Sequence, residues 1–266
     1  MTIRHAHFAA ALLLALPLAT AAADLEAGKA RAQAVCAACH GANGASVADH
    51  IPNLAGQRAA YLETQLKAFK AGSRKSAVMG AIAAQLEPAH MADVAAYFAS
   101  LAPAAVAGKS EPLPALARTN VTWPAGYPAG FVKYQTVNRP DIGQVRYLYA
   151  NRAAVDAARE GRPLPDGSVL VLEQHAAKLD ADRKPVVGAG GFFEPERLVA
   201  YTLMARGAGW GASIPEMLRN EDWHYAVFTP AQQPRAGLNQ AECLACHKPL
   251  DKTSFAFSYE QLRAAR

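Results

Sequence analysis

Cysteine is scarce in this 266-residue chain, which has four, at positions 36, 39, 243 and 246. Two close pairs exclude the disulfide-dense scaffold that small secreted domains use in place of a core. Acidic residues are also few, 22 against 27 Lys and Arg, and the net charge of +5 is thinly spread. No basic run tracks a phosphate backbone, so nucleic acid is excluded as the expected partner. Long apolar runs are lacking too. The one at 8–18 is shorter than the roughly 20 residues a spanning helix needs, so no membrane span is expected in the mature chain.

Arg4 ahead of that run and Ala21-Ala22-Ala23 behind it have the layout of a secretory signal peptide. Residues 1–23 are therefore expected to be removed and the protein to be periplasmic. With 52% hydrophobic and 18% charged residues the chain is globular, and its length favours two domains.

What is present is a repeated motif. Cys36-Ala37-Ala38-Cys39-His40 and Cys243-Leu244-Ala245-Cys246-His247 both read C-x-x-C-H, the signature of covalent c-type haem attachment. Thiols about one helical turn apart can each add to a haem vinyl group, and the adjacent His reaches the iron. A thioredoxin-like redox pair or half a zinc site also uses C-x-x-C, but neither calls for a His directly after both pairs. Two covalent haems are expected, on Cys36/Cys39 and on Cys243/Cys246, with His40 and His247 on the irons.

The settings of the two motifs differ. Residues 25–38 favour helix behind Asp24 as N-cap, and Tyr61, Leu62, Leu66 and Phe69 repeat at helical spacing up to Gly72. A last helix fits 88–101, with Met91 on its apolar side, while Met79 is read in a loop between helices. Five prolines in 102–128 mark a linker, taken as 102–120. Beyond it the period changes to 2. Segments 145–149, 168–172, 198–203 and 224–228 are β-branched and aromatic, and with a helix near 153–161 they predict a small antiparallel sheet over 121–266.

Residues 24–101 resemble a class I cytochrome c of the short bacterial type, through "CAACHGANG", "PNLAGQRAAYLETQLKAFKAGSR", "AVMGAIAAQL" and "MADVAAYFASL". The resemblance implies His40 and Met79 as axial ligands, the Pro52 carbonyl as partner of His40, and Gly28 as the point where the first helix approaches Tyr97. His/Met ligation raises the haem potential and fills both axial positions, which suits electron transfer.

Residues 120–266 resemble the cytochrome P-460 family, including its c-prime-beta relatives. "YPAGFVKYQTV", "VRYLYANRAAVDAAREGRPLPDGSVLVLEQ", "NEDWHYAVF" and "CLACHKPLDKTSFAFSYEQL" carry the resemblance. It implies a β-sheet fold, His247 as proximal ligand and a five-coordinate iron. The expected fold class is thus an all-α class I cytochrome c domain followed by a mainly antiparallel β (α+β) haem domain. In hydroxylamine-oxidising members a Lys directly before a Glu links to the haem edge. Here Leu172 precedes Glu173, and Lys178 and Lys184 stand further along. That departure moves the expectation toward a site for nitric oxide or a similar small ligand.

None of the 19 residues after His247 is Met, so the far side of the second iron is filled from upstream or left open. Met204, Met217, His175 and His224 are the possible donors. Leu172, Trp210 and Trp223 are candidates for lining a distal pocket. A vacant position is where haem chemistry takes place, which makes an oxidoreductase acting on small nitrogen compounds one expectation. A pure electron carrier with two six-coordinate haems, a gas scavenger or sensor, and a haem peroxidase are the alternatives. A soluble cytochrome or a terminal oxidase suits the first domain as redox partner.

Overall fold

A computed structural model of the chain describes residues 23–46, 48, 51–104 and 113–265. The signal-peptide reading lies almost wholly outside these residues. Among them no helix is long and apolar enough to cross a membrane.

The first part is helical. Helix α1 (Leu25–Arg31) starts at Asp24, whose carboxylate accepts from the amides of Glu26 and Ala27 at 3.0 Å each. It continues through a π-helical turn, Ala32–Cys36, into α2 (Ala37–His40), where a single helix over 25–38 is predicted. Gly41, at φ 80°, ends α2 in a conformation that a side chain disfavours. Helices α3 (Ala59–Lys70), α4 (Ala77–Ala84) and α5 (Pro88–Ser100) follow. Their core is Ala32, Leu62, Val94, Ala95, Tyr97 and Phe98, and Met91 is 1% exposed, as its place on an apolar face predicts.

Met79 is not in a loop. It lies in the first turn of α4, where its amide donates to the Ser76 hydroxyl at 3.2 Å. The sequence there is apolar on every side except for this cap, so no period marks it as helix.

The second part is a five-stranded antiparallel sheet in the order β1 (Phe131–Arg139), β2 (Gln144–Asn151), β3 (Val169–Ala177), β4 (Pro195–Arg206) and β5 (Trp223–Phe228). One face buries Ala150, Leu170, Met204 and Tyr225 beneath α6 (Arg152–Arg159), α7 (Gln240–His247) and α8 (Tyr259–Arg263). The other buries Val171, Leu203, Ala226 and Phe228 against Trp123 and Tyr127. Asn151 joins helix to sheet: it caps α6 through Ala154 and also accepts from the Val169 amide at 3.1 Å.

Residues 113–120 are part of this second body. The Leu116 amide donates to the Asn239 side chain at 2.9 Å, the Gln240 amide donates to the Leu116 carbonyl at 3.0 Å, and Leu113 and Leu116 pack on the core. Proline content marks a break in periodicity, which a docked extended strap shares with a free linker.

Candidate haem sites

His40 is the last residue of α2, one position after Cys39 and four after Cys36. The turn at Gly41 brings the following loop back over it. His40 Nδ1–H donates to the Pro52 carbonyl at 2.8 Å, the partner that the resemblance implies. A carbonyl only accepts, so the proton is on Nδ1 and Nε2 carries the free lone pair. Burial holds the His40 pKa below its usual value, opposed by the Pro52 bond. The ring is thus neutral and fixed in direction, as a metal-ligating imidazole requires.

The second site has the same logic on different elements. Asn239 caps α7 by accepting from the Ala241 amide at 3.1 Å, and α7 presents Cys243, Cys246 and His247. His247 Nδ1–H donates to the Phe255 carbonyl at 2.6 Å. Its ring lies 4.8 Å from Tyr225 and 4.9 Å from Phe257, and burial pushes its pKa down to about 4. Ser254 and Phe255 both have positive φ, 51° and 58°. Such conformations cost about 1–3 kcal/mol each and persist where the surroundings hold them. Here the Ser254 hydroxyl accepts from the Leu164 amide at 3.0 Å, and the turn delivers the Phe255 carbonyl to His247. Asn220, fully buried, donates to the Tyr225 hydroxyl and to the Leu244 carbonyl at 3.0 Å each, which pins α7 to β5.

Both motifs open into one cavity of about 1060 Å³. Cys36, Cys39, His40 and Met79 line it from the first domain, and Thr202, Tyr225, Cys243, Cys246 and His247 from the second. All four thiols are unbridged, and burial raises the pKa of each. Negative charge on Cys39 also raises that of Cys246, so the two motifs are electrostatic neighbours. Paired free thiols, neutral imidazoles with a free Nε2 and a large cavity are the donor set that two covalently attached c-type haems require. They fit.

The upstream candidates are placed elsewhere. His224 is 1% exposed; its Nδ1 accepts from the Asn120 amide at 3.1 Å and its Nε2–H donates to the Trp210 carbonyl at 2.9 Å. His175 pairs with Glu173 at 3.0 Å, Met204 is in the core, and Met217 is 69% exposed. None of the four lines the cavity. Trp210 packs 5.4 Å from the His224 ring and Trp223 is buried in the core beneath α7, so neither lines it. Leu172 stands between Leu148 on β2 and Thr202 on β4. Directly paired residues share a face, so Leu172 is on the same face as Thr202, but only Thr202 lines the cavity. Lys178 is paired with Glu194 at 3.3 Å, in an exposed hairpin. Sequence reasoning missed Phe255, Asn220, Tyr225 and Thr202. No spacing rule marks a backbone carbonyl or a single buried amide.

The cytochrome c family model matches residues 25–102 and the cytochrome P460 model residues 124–258. Cytochrome c4 of Pseudomonas aeruginosa is 37% identical over 172 residues, 61% of this chain and 84% of that protein. A thiosulfate dehydrogenase electron acceptor of Thiomonas intermedia is 41% identical over 39% of this chain and 44% of its own length. The crystal structure of reduced recombinant cytochrome c4 from Pseudomonas stutzeri is 42% identical over 30% of this chain, with a TM-score of 0.29. The chain spans about half the length of the solved cytochrome c4 structures it matches, 49% and 47%. Two haem motifs and these relatives make it a multihaem electron-transfer cytochrome. The chain belongs to the cytochrome P460 family, with a cytochrome c domain ahead of its P460 half.

Proposed function

We propose that this is a periplasmic two-haem redox protein in which the first iron relays electrons and the second binds or converts a small nitrogen-oxide ligand such as nitric oxide. His40 and Met79 close the first iron, and both line the same cavity. His247 holds the second from one side. The observation that carries the reading is the placement of Met204, Met217, His175 and His224, none of which lines the cavity with His247. The far position of that iron is therefore open to a ligand from outside. Bound haem supplies a redox-active iron there; the chain's own residues set its surroundings.

Leu172 carries no amine for a haem link, which disfavours hydroxylamine as substrate. Thr202 is a polar neighbour on the same face, its hydroxyl accepting from the Gln174 amide at 2.7 Å. The relatives described as cytochrome c4 and as an electron acceptor support a redox partner protein, for which a soluble cytochrome or a terminal oxidase is proposed. The signal-like first 23 residues support export.

The test is the absorption spectrum of the reduced protein with and without nitric oxide, beside an intact mass that counts haems. A change confined to one of two haems is expected. An unchanged spectrum in a protein carrying both haems refutes the proposal in favour of a pure electron carrier.

A further inference from the structure

We infer that the contact between the two attachment helices, α2 and α7, is a built-in electron junction, so that the first haem serves the second within the same molecule. The inference deepens the proposed function and rests on its two-haem arrangement, but not on nitric oxide binding.

Three observations carry it. Cα atoms of α2 and α7 come within 8 Å of each other, as do those of the π-helical turn and the 3-10 turn Lys248–Thr253 that succeeds His247. Helix α4, which bears Met79, approaches that same 3-10 turn. Ala38, inside the first motif, packs against the core cluster of the second domain, as does Cys243. The cavity between the domains is continuous, with both thiol pairs on its wall.

Chemistry turns this placement into a function. A c-type haem is fixed by its thioethers at the sulfur atoms, so each haem's attachment edge is at its own cysteine pair. Those pairs meet at one boundary. Electron tunnelling falls exponentially with the distance between donor and acceptor edges, so attachment helices in contact favour transfer between the two haems. Small side chains keep that distance short: Ala37 and Ala38 on α2, Ala245 on α7. The electron that moves is balanced within the chain: one haem iron is oxidised by one unit and the other reduced by one, with no proton or group transferred.

The test uses the intact protein carrying both haems. A light-generated one-electron donor, in less than stoichiometric amount, reduces the protein, and absorbance follows each haem. Electron equilibration between haems is expected as a first-order phase whose rate is independent of protein concentration. Ala38→Trp, a wedge between α2 and α7, is expected to slow that phase by an order of magnitude or more in protein whose intact mass shows both haems attached. A phase that scales with protein concentration, or an unaltered rate in a correctly loaded variant, overturns the inference. Electron paramagnetic resonance of the oxidised unmodified protein provides an arm that needs no variant. Mutual broadening of the two iron signals is expected, and a plain sum of two isolated signals overturns the inference. A second haem indifferent to nitric oxide refutes the proposed function and leaves both of these readouts standing.

Discussion

Replacing Gly28 by Ala tests how tightly the first domain is closed. A methyl group built at Gly28 lies 2.6 Å from the carbonyl carbon of Asp93, nearer still to its oxygen, and 3.2 Å from Tyr97 Cβ. The first two are backbone atoms of α5 and cannot rotate aside. Carbon contacts settle at about 3.5–4.0 Å, so α1 and α5 must part by roughly 1 Å. Two effects then oppose each other. Alanine gains about 1 kcal/mol over glycine in a helix interior. Overpacking costs about 1–3 kcal/mol, and here parting the helices also loosens Ala32, Val94 and Tyr97 and lengthens the 2.8 Å bond from the Asp24 amide to Asp93. The clash is with rigid backbone, so its upper range applies and the net loss is about 2 kcal/mol. At about 4–8 °C per kcal/mol for a domain of this size, the first transition falls by about 10 °C. Thermal melts of the haem-loaded protein, followed at the absorbance of the first haem, read this domain, and the second haem's bands serve as the control. A Gly28→Ala protein that melts at or above the parent temperature refutes the reasoning, because helix propensity would then outweigh the contact.

His224 links stability to pH. Burial holds its folded pKa below the ordinary 6.5, with the Trp210 carbonyl and Asp222 opposing. A depressed value means that the unfolded chain takes up the proton first, so this stabilisation is complete above pH 6.5 and is lost as pH falls through 6.5 toward the folded value. The melting temperature of the second domain should drop on acidification more steeply in the parent than in His224→Gln, and equal slopes would sink the assignment. Asn220→Ala leaves the Leu244 carbonyl and Tyr225 hydroxyl without their buried donor and should destabilise the second domain by about 1–3 kcal/mol. It should also shift the midpoint potential of the second haem alone, and Asn220→Asp, which lacks the donor, should not rescue it. A potential that stays put would mean that Asn220 does not position α7.

Local patterns carried much of the first domain. The helical spacing of Tyr61, Leu62, Leu66 and Phe69 appears as α3, and Gly28 stands where α1 meets Asp93 and Tyr97. In the second domain β2 to β5 are anticipated, but β3 runs on to Ala177, past the segment 168–172, through the polar Glu173, Gln174 and His175. Tertiary partners extend it. The Tyr127 hydroxyl donates to Glu173 at 2.6 Å, His175 joins the same carboxylate at 3.0 Å, and Gln174 donates to Thr202 at 2.7 Å. Strand β1 is hidden for another reason: a register shift between Lys133 and Gln135 breaks the alternation that marks a strand.

The meeting of the two motifs has no local signature at all. Each C-x-x-C-H specifies its own helix and ligand, and Ala37, Ala38 and Ala245 read as ordinary helix formers wherever they stand. The segment downstream of each motif decides how its iron is treated. After His40 the loop folds over the ring and leads on to α4, which returns Met79 to the same cavity. After His247 the chain makes a 3-10 turn and two left-handed residues that hold Phe255 and Phe257 on the proximal side. It then ends its described course in α8, packed on α6 and β1 and away from the cavity. Among the described residues, the sheet face beside Thr202 offers Leu172 and Leu148, neither able to bind iron. On the proposed reading, the asymmetry between a closed and an open haem lies in the segments after the histidines, and the alanines between the cysteines are what let the two attachment helices meet.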